Sequence, residues 1–123
     1  MKYCCVLLPF PPTSNGLYDG GSRGRYKNAR YVAWENDAVR VLAKQSFVHF
    51  TKPVQITISY GRPDRRRRDL LNYQKSLVDF LVPGILADDS LIHRAVLAWD
   101  DTVIGSLIEI EELPEQSQPK RKT

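Results

Sequence analysis

The sequence predicts a single-domain α+β fold in which helices pack on one mixed sheet, in the order strand, helix, strand, helix, strand, strand. Three observations predict it. Residues 54–60 alternate Val54, Ile56, Ile58 and Tyr60 with Gln55, Thr57 and Ser59, the period-two pattern of a strand with one buried face. Tyr31, Trp34, Ala38, Val41 and Gln45 recur at the three- and four-residue spacing of an amphipathic helix, apolar until the last member. Helix and strand patterns follow one another without an internal repeat, which favours helices layered against one sheet.

A first strand is predicted over Lys2 to Leu8, ended by Pro9, Pro11 and Pro12, because proline cannot donate to a sheet ladder. Residues 13–29 carry Ser14, Asn15, Gly16, Gly20, Gly21 and Gly24, the composition of a mobile loop. The first helix is expected from Arg30 to Phe47, and the strand over 54–60 follows it. A second helix is predicted from Leu71 to Val82, with Tyr73, Leu77, Phe80 and Leu81 as its buried stripe and Gly84 as a left-handed cap. Leu91 to Trp99 and Val103 to Glu111 read as an antiparallel hairpin turning at Asp100 and Asp101.

At 123 residues, 42% of them hydrophobic, the chain suits one core, assigned to residues 1–113. Residues 114–123, with Lys120, Arg121 and Lys122, are predicted to be a disordered basic tail that either adds a diffuse DNA contact or adds none. No apolar run approaches the roughly 18 residues of a membrane span, and the opening MKYCCVLLP runs into prolines without a cleavage site. A cytoplasmic protein with no membrane partner is therefore expected. Cys4 and Cys5 are the only cysteines; as strand neighbours they point to opposite faces and suit neither a disulfide nor a chelating pair.

The charge is informative by its location. The net charge is +4, and residues 61–75 hold six basic side chains against two acidic ones, a surplus equal to that of the whole chain. A positive patch this concentrated is the footprint of a polyanion partner, most often nucleic acid. Arg65, Arg66, Arg67 and Arg68 either form a solvated face or position a phosphate backbone. Four such contacts imply an affinity exponent against salt of about −3.6, at roughly 0.9 per contact. Arg23, Arg25, Tyr26, Lys27 and Arg30 either wrap DNA or solubilise their loop. Asp69 reads as a helix cap or a ligand, and Asp88 with Asp89 as turn residues or ligands.

The segment RPDRRRRDLLNYQK at 62–75, followed by GILADDS at 84–90 and preceded by LPFPPTSN at 8–15, resembles the RusA family of Holliday-junction resolvases. That family's pattern is a proline, an aspartate, a run of arginines, then D-L-D-N-L-Q-K and a later D-D pair. The resemblance spans residues 3 to 112. It implies a homodimeric, magnesium-dependent endonuclease, manganese also serving, that cuts opposing strands of a four-way DNA junction symmetrically. By position it implies Asp69 and Asp89 as the principal, catalytic metal ligands with Asp88 assisting as a third, Lys75 at the scissile phosphate and the arginines on DNA.

The middle aspartate of D-L-D falls on Leu71, which offers no ligand atom. Positions 69 and 71 lie about 200° apart on a helix and could not share an ion there, whereas an extended segment turns them the same way. The resemblance therefore requires extended backbone at 69–71. Magnesium takes oxygen ligands and often uses only one or two carboxylates with water and phosphate. Three readings stay open: a junction endonuclease, a junction-binding protein of the same fold whose cleavage is impaired by Leu71, and a nonspecific nucleic-acid-binding domain.

Overall fold

The computed structural model describes residues 1–21 and 24–114. Six strands and two α-helices form it: β1 (Tyr3–Leu8), β2 (Tyr18–Gly21), β3 (Gly24–Lys27), α1 (Ala29–Leu42), β4 (Val54–Tyr60), α2 (Gln74–Leu81), β5 (Ile92–Trp99) and β6 (Ser106–Glu112). The main sheet has the order β1-β6-β4-β5, and β2 and β3 make a separate antiparallel ribbon. β1 and β4 flank β6 antiparallel, while β4 and β5 run parallel, so the sheet is mixed as the sequence predicts.

One sheet face is buried against both helices. Alternation puts Val54, Ile56, Ile58 and Tyr60 of β4 into the core with Ile108 and Ile110 of β6 and Cys4, Val6 and Leu8 of β1. Tyr31, Trp34 and Ala38 of α1 and Leu77 and Leu81 of α2 cover them. Cys4 is buried and Cys5 exposed, as expected for strand neighbours.

Several expectations are corrected. The glycine-bearing segment 13–29 is not loop throughout, because it contains the β2-β3 ribbon, in which Tyr18 pairs with Lys27 and Gly20 with Arg25. The ribbon leads into α1 through Asn28, whose side chain accepts the Tyr31 N–H at 2.9 Å as an N-cap. α1 ends at Leu42 rather than Phe47. Gln45 leaves the helix to serve the sheet edge: its amide nitrogen donates to Leu7 O, and its amide oxygen accepts the Leu7 N–H, both at 2.7 Å.

α2 starts at Gln74, after a 3-10 turn over Leu70–Asn72. Gly84 is not a left-handed cap, since only Gly24 and Gly105 have positive φ among the described residues. The helix stops because Val82 is extended (φ −100°, ψ 132°), and the Leu81 carbonyl is satisfied by the N–H groups of Ile85 at 2.8 Å and Leu86 at 3.0 Å.

β5 and β6 do not form a hairpin, because β4 lies between them. The connection over 100–105 passes across the end of β4, with Asp100 N–H donating to Tyr60 O at 2.8 Å and Gly61 N–H to Gly105 O at 2.9 Å. Gly61 permits this crossing: a Cβ there would stand 1.7 Å from Val103 O. The tail expected at 114–123 lies beyond the described residues from position 115, and Arg23 also lies outside them.

Candidate nucleic-acid interface and carboxylate site

The arginine run is organised by Asp64. Its carboxylate accepts the Arg66 N–H at 2.9 Å and Arg68 Nη2 at 2.8 Å, which folds the loop back on itself. The Arg68 side-chain hydrogen bond, followed by the Arg66 backbone bond, holds the Asp64 carboxyl below the usual carboxylate range. Arg68 also donates to Tyr73 Oη at 3.2 Å and lies over the Phe10 ring at 5.6 Å. Its side chain is only 19% exposed, so it is a structural anchor within the run.

Arg65, Arg66 and Arg67 are exposed. Arg66 has only a long contact from Nε to Asp64, at 3.5 Å, and neither Arg65 nor Arg67 has an ion-pair partner among the described residues. These side chains, with Arg62, Arg68, Asp64, Asp101 and Trp99, line an open groove of about 640 Å³. In the sequence Arg62 counts only toward the charge of 61–75 and Trp99 only as the end of a strand. They stand 37 positions apart and meet only because β4 and β5 end side by side, with Tyr60 opposite Trp99.

Asp69 follows the run in extended conformation (φ −84°, ψ 121°), and its side chain makes no capping hydrogen bond. Its backbone carbonyl accepts the Asn72 N–H at 3.1 Å, closing the 3-10 turn that contains Leu71. The extended backbone required at 69–71 is thus present only at 69, and the turn leaves Leu71 68% exposed. Lys75, on the first turn of α2, is exposed and pairs with Asp79 at 3.5 Å.

The two later aspartates differ. Asp88 caps a 3-10 turn over Asp89–Leu91, accepting from the Ser90 N–H at 3.2 Å and from the Ser90 hydroxyl. The hydroxyl bond is the main reason its carboxyl is held below the usual range. Asp89 is exposed, and its side chain has no hydrogen-bond or ion-pair partner among the described residues. Both line a cleft of about 300 Å³ with Tyr18, Lys27, Tyr31, Glu35, Asp79 and Val82. Lys27 is committed there, donating to Glu35 at 3.0 Å and lying over the Tyr31 ring at 5.3 Å. Burial, with Glu35 and Asp79 adding to it, raises the Tyr31 pKa. Arg25 lies over the Tyr18 ring at 4.6 Å.

Asp69 is not among the residues lining the cleft of Asp88 and Asp89, and no three His, Cys, Asp or Glu side chains among the described residues are gathered to hold a metal. In donor chemistry the unpartnered carboxylates of Asp69 and Asp89 nevertheless fit a hard cation that completes its shell with water and phosphate. Leu71 contributes nothing to such a shell. No helix among the described residues is long and apolar enough to cross a membrane.

Fold and site together define a class: a small α+β domain with an arginine-lined groove at one end of a mixed sheet and unpaired carboxylates on the loops around its second helix. Residues 9–111 match the family described as endodeoxyribonuclease RusA, and the chain belongs to that family. It is 33% identical over 94 residues to the crossover junction endodeoxyribonuclease RusA of Escherichia coli strain K12, covering 75% of this chain and 78% of that one. The protein of the same name from Shigella sonnei has the same identity and coverage. That of enterobacteria phage 82 is 33% identical over 89 residues, covering 71% and 74%.

Proposed function

We propose that this protein is a cytoplasmic, metal-dependent endodeoxyribonuclease that binds four-way DNA junctions and cuts opposing strands as a homodimer. The observation that carries the proposal is the juxtaposition in one segment of three exposed arginines and the unpartnered Asp69 carboxylate that follows them. Arg65, Arg66 and Arg67 hold the phosphate backbone, with Arg25 as an outlying contact, and carry little base information. Arg68 and Lys27 act on DNA indirectly, by fixing the loop and the ribbon. Asp69 and Asp89 would hold Mg²⁺ or Mn²⁺, assisted by Asp88, whose turn presents Asp89. When bound, such a metal would supply Lewis acidity at the phosphodiester and an activated water. Lys75, released from its loose pairing with Asp79, steadies charge on the phosphate.

A second copy of the chain has a fitting surface. β1 has its outer edge capped at Leu7 by Gln45, whereas β5 is an eight-residue edge strand with no proline and no described residue hydrogen-bonded along its outer side. Ala95, Val96 and Ala98 are exposed on it, an edge that soluble proteins ordinarily cover. Pairing of β5 with its copy would join the two sheets and supply the second site that two opposed cuts need.

A second reading is favoured by Leu71, which stands at a ligand position without a donor atom: a junction-binding protein with impaired cleavage. A labelled four-way junction and a linear duplex of the same sequence, each incubated with the protein and Mg²⁺ or Mn²⁺, separate these readings. Paired nicks on the junction alone support the first. Junction-selective binding without nicks, with cleavage appearing in Leu71→Asp, supports the second. Equal affinity for both substrates contradicts both and leaves nonspecific nucleic-acid binding.

A further inference from the structure

The groove beneath the arginine loop has an aromatic floor that phosphate binding does not use. Trp99 ends β5 half-buried, with its ring braced by three others. It lies 6.3 Å from Phe10 at an interplanar angle of 11°, 5.8 Å from Tyr60 and 6.0 Å from Tyr73. Phe10, Tyr60 and Tyr73 also contact one another, at 5.0 to 6.1 Å. Every pair in this tetrad touches, so Trp99 is fixed before any ligand arrives, and little rotamer freedom remains to be lost on binding.

The exposed part of Trp99 is covered by a removable group. Arg62 lies over the ring at 5.2 Å and is held there by Asp101 at 3.2 Å. Both side chains of that ion pair are well exposed, 46% and 64%, and exposed pairs contribute little to stability. Five arginines surround the position against two aspartates, both already paired. A planar ligand attached to phosphate would thus meet a rigid ring, an exposed guanidinium already placed over that ring, and free cations for its charge.

We propose that Trp99 and Arg62 form a stacking clamp for a nucleobase presented outside a continuous duplex, as at a strand crossing or an unpaired site. Inside a duplex each base face is covered by its neighbours, whereas an unstacked base offers its face to an aromatic ring, and every base type can do so. The clamp therefore recognises branched or interrupted DNA without reading sequence. It rests on the DNA-binding reading above and adds a reason for structural selectivity that the arginines lack, since phosphates are present on every duplex.

The protein's two tryptophans make the test direct. Trp34 is 7% exposed and its Nε1 donates to Pro9 O at 3.1 Å, so a Trp34→Phe protein reports Trp99 emission alone. The probes are a synthetic four-way junction, oligothymidylate of eight nucleotides and a blunt duplex. The clamp predicts quenching of Trp99 by junction and oligothymidylate at saturation and little by duplex. In otherwise unaltered protein, Trp99→Leu lowers affinity for the first two by roughly 5- to 150-fold, the range for loss of one stacked base, and leaves duplex affinity within about twofold. Trp99→Phe, which keeps a ring in the tetrad, restores most of the loss and guards against a folding defect. Junction-selective binding with unchanged Trp99 emission, or Trp99→Leu binding as well as the parent, overturns the clamp and leaves the junction reading standing. Failure to bind any of the three probes overturns both.

Discussion

Arg68 Nη2 donates to the Asp64 carboxylate at 2.8 Å, and this pairing divides the arginine run into one anchor and three outward cations. Asp64 also fixes the Arg66 N–H at 2.9 Å, so one carboxylate sets the shape of the whole loop. The Asp64 carboxyl titrates below its ordinary range chiefly because of the Arg68 hydrogen bond. A folded-state value below the unfolded one means that the ordering is fully present above the ordinary carboxylate range and is lost as pH falls through the depressed value. Amide exchange across 64–68 should therefore accelerate, relative to β4, below about pH 4. Asp64→Asn should show fast exchange already at neutral pH. A loop whose protection ignores both would contradict the anchor.

The division changes the expected salt dependence. Three phosphate-facing arginines contribute about −2.7 to the exponent, smaller in magnitude than the roughly −3.6 of the full run, at about 0.9 per contact. Single Arg65→Gln, Arg66→Gln or Arg67→Gln changes should each reduce the slope of log affinity against log salt by about 0.9. Arg68→Gln should instead lower the melting temperature, because it removes bonds to Asp64 and Tyr73 and the contact with Phe10. Titrations at several salt concentrations, with melting curves alongside, distinguish the two behaviours.

The aspartates should separate in the same way. Asp69→Asn and Asp89→Asn remove unpartnered carboxylates, so folding should be unaffected while any cleavage falls roughly 100-fold or more. A bound metal is worth several kcal/mol of transition-state stabilisation, and about 1.4 kcal/mol is tenfold in rate. Asp88→Ala removes the bonds to Ser90 and should loosen the turn before β5. Thermal melts with single-turnover cleavage measure both effects; equal losses of stability in all three would contradict the assignment.

The β5 edge should carry the homodimer. Val96, 43% exposed near the middle of the strand, is the position where a charge would be least tolerated by edge-to-edge pairing. Val96→Lys should convert a dimer to a monomer in sedimentation at micromolar concentration, with the fold intact by circular dichroism. A variant that stays dimeric would move the interface elsewhere.

Local patterns read well from the sequence, and long-range choices did not. Alternation along 54–60 identified β4, the most regular of the buried strands, and the spacing of Tyr31, Trp34 and Ala38 identified α1. The pairing of β5 was misread because a short turn usually joins neighbours, whereas this one crosses the end of β4 over Gly61. Gln45 fell on the helical spacing but bonds to the β1 edge, a partner 38 residues away. The arginine run was visible as charge, yet composition could not single out Arg68, whose distinction comes from Tyr73 and Phe10. Trp99 joined the groove only once the strand order was known.

The most direct measurement is equilibrium binding of a fixed four-way junction and of a linear duplex of the same sequence, in EDTA at one stated salt concentration. Phosphate contacts alone would bind both alike, so the comparison isolates recognition of the junction itself. A junction-selective protein binds the junction at least about tenfold more tightly, a difference of roughly 1.4 kcal/mol. Equal affinity for junction and duplex would contradict the junction-binding proposal.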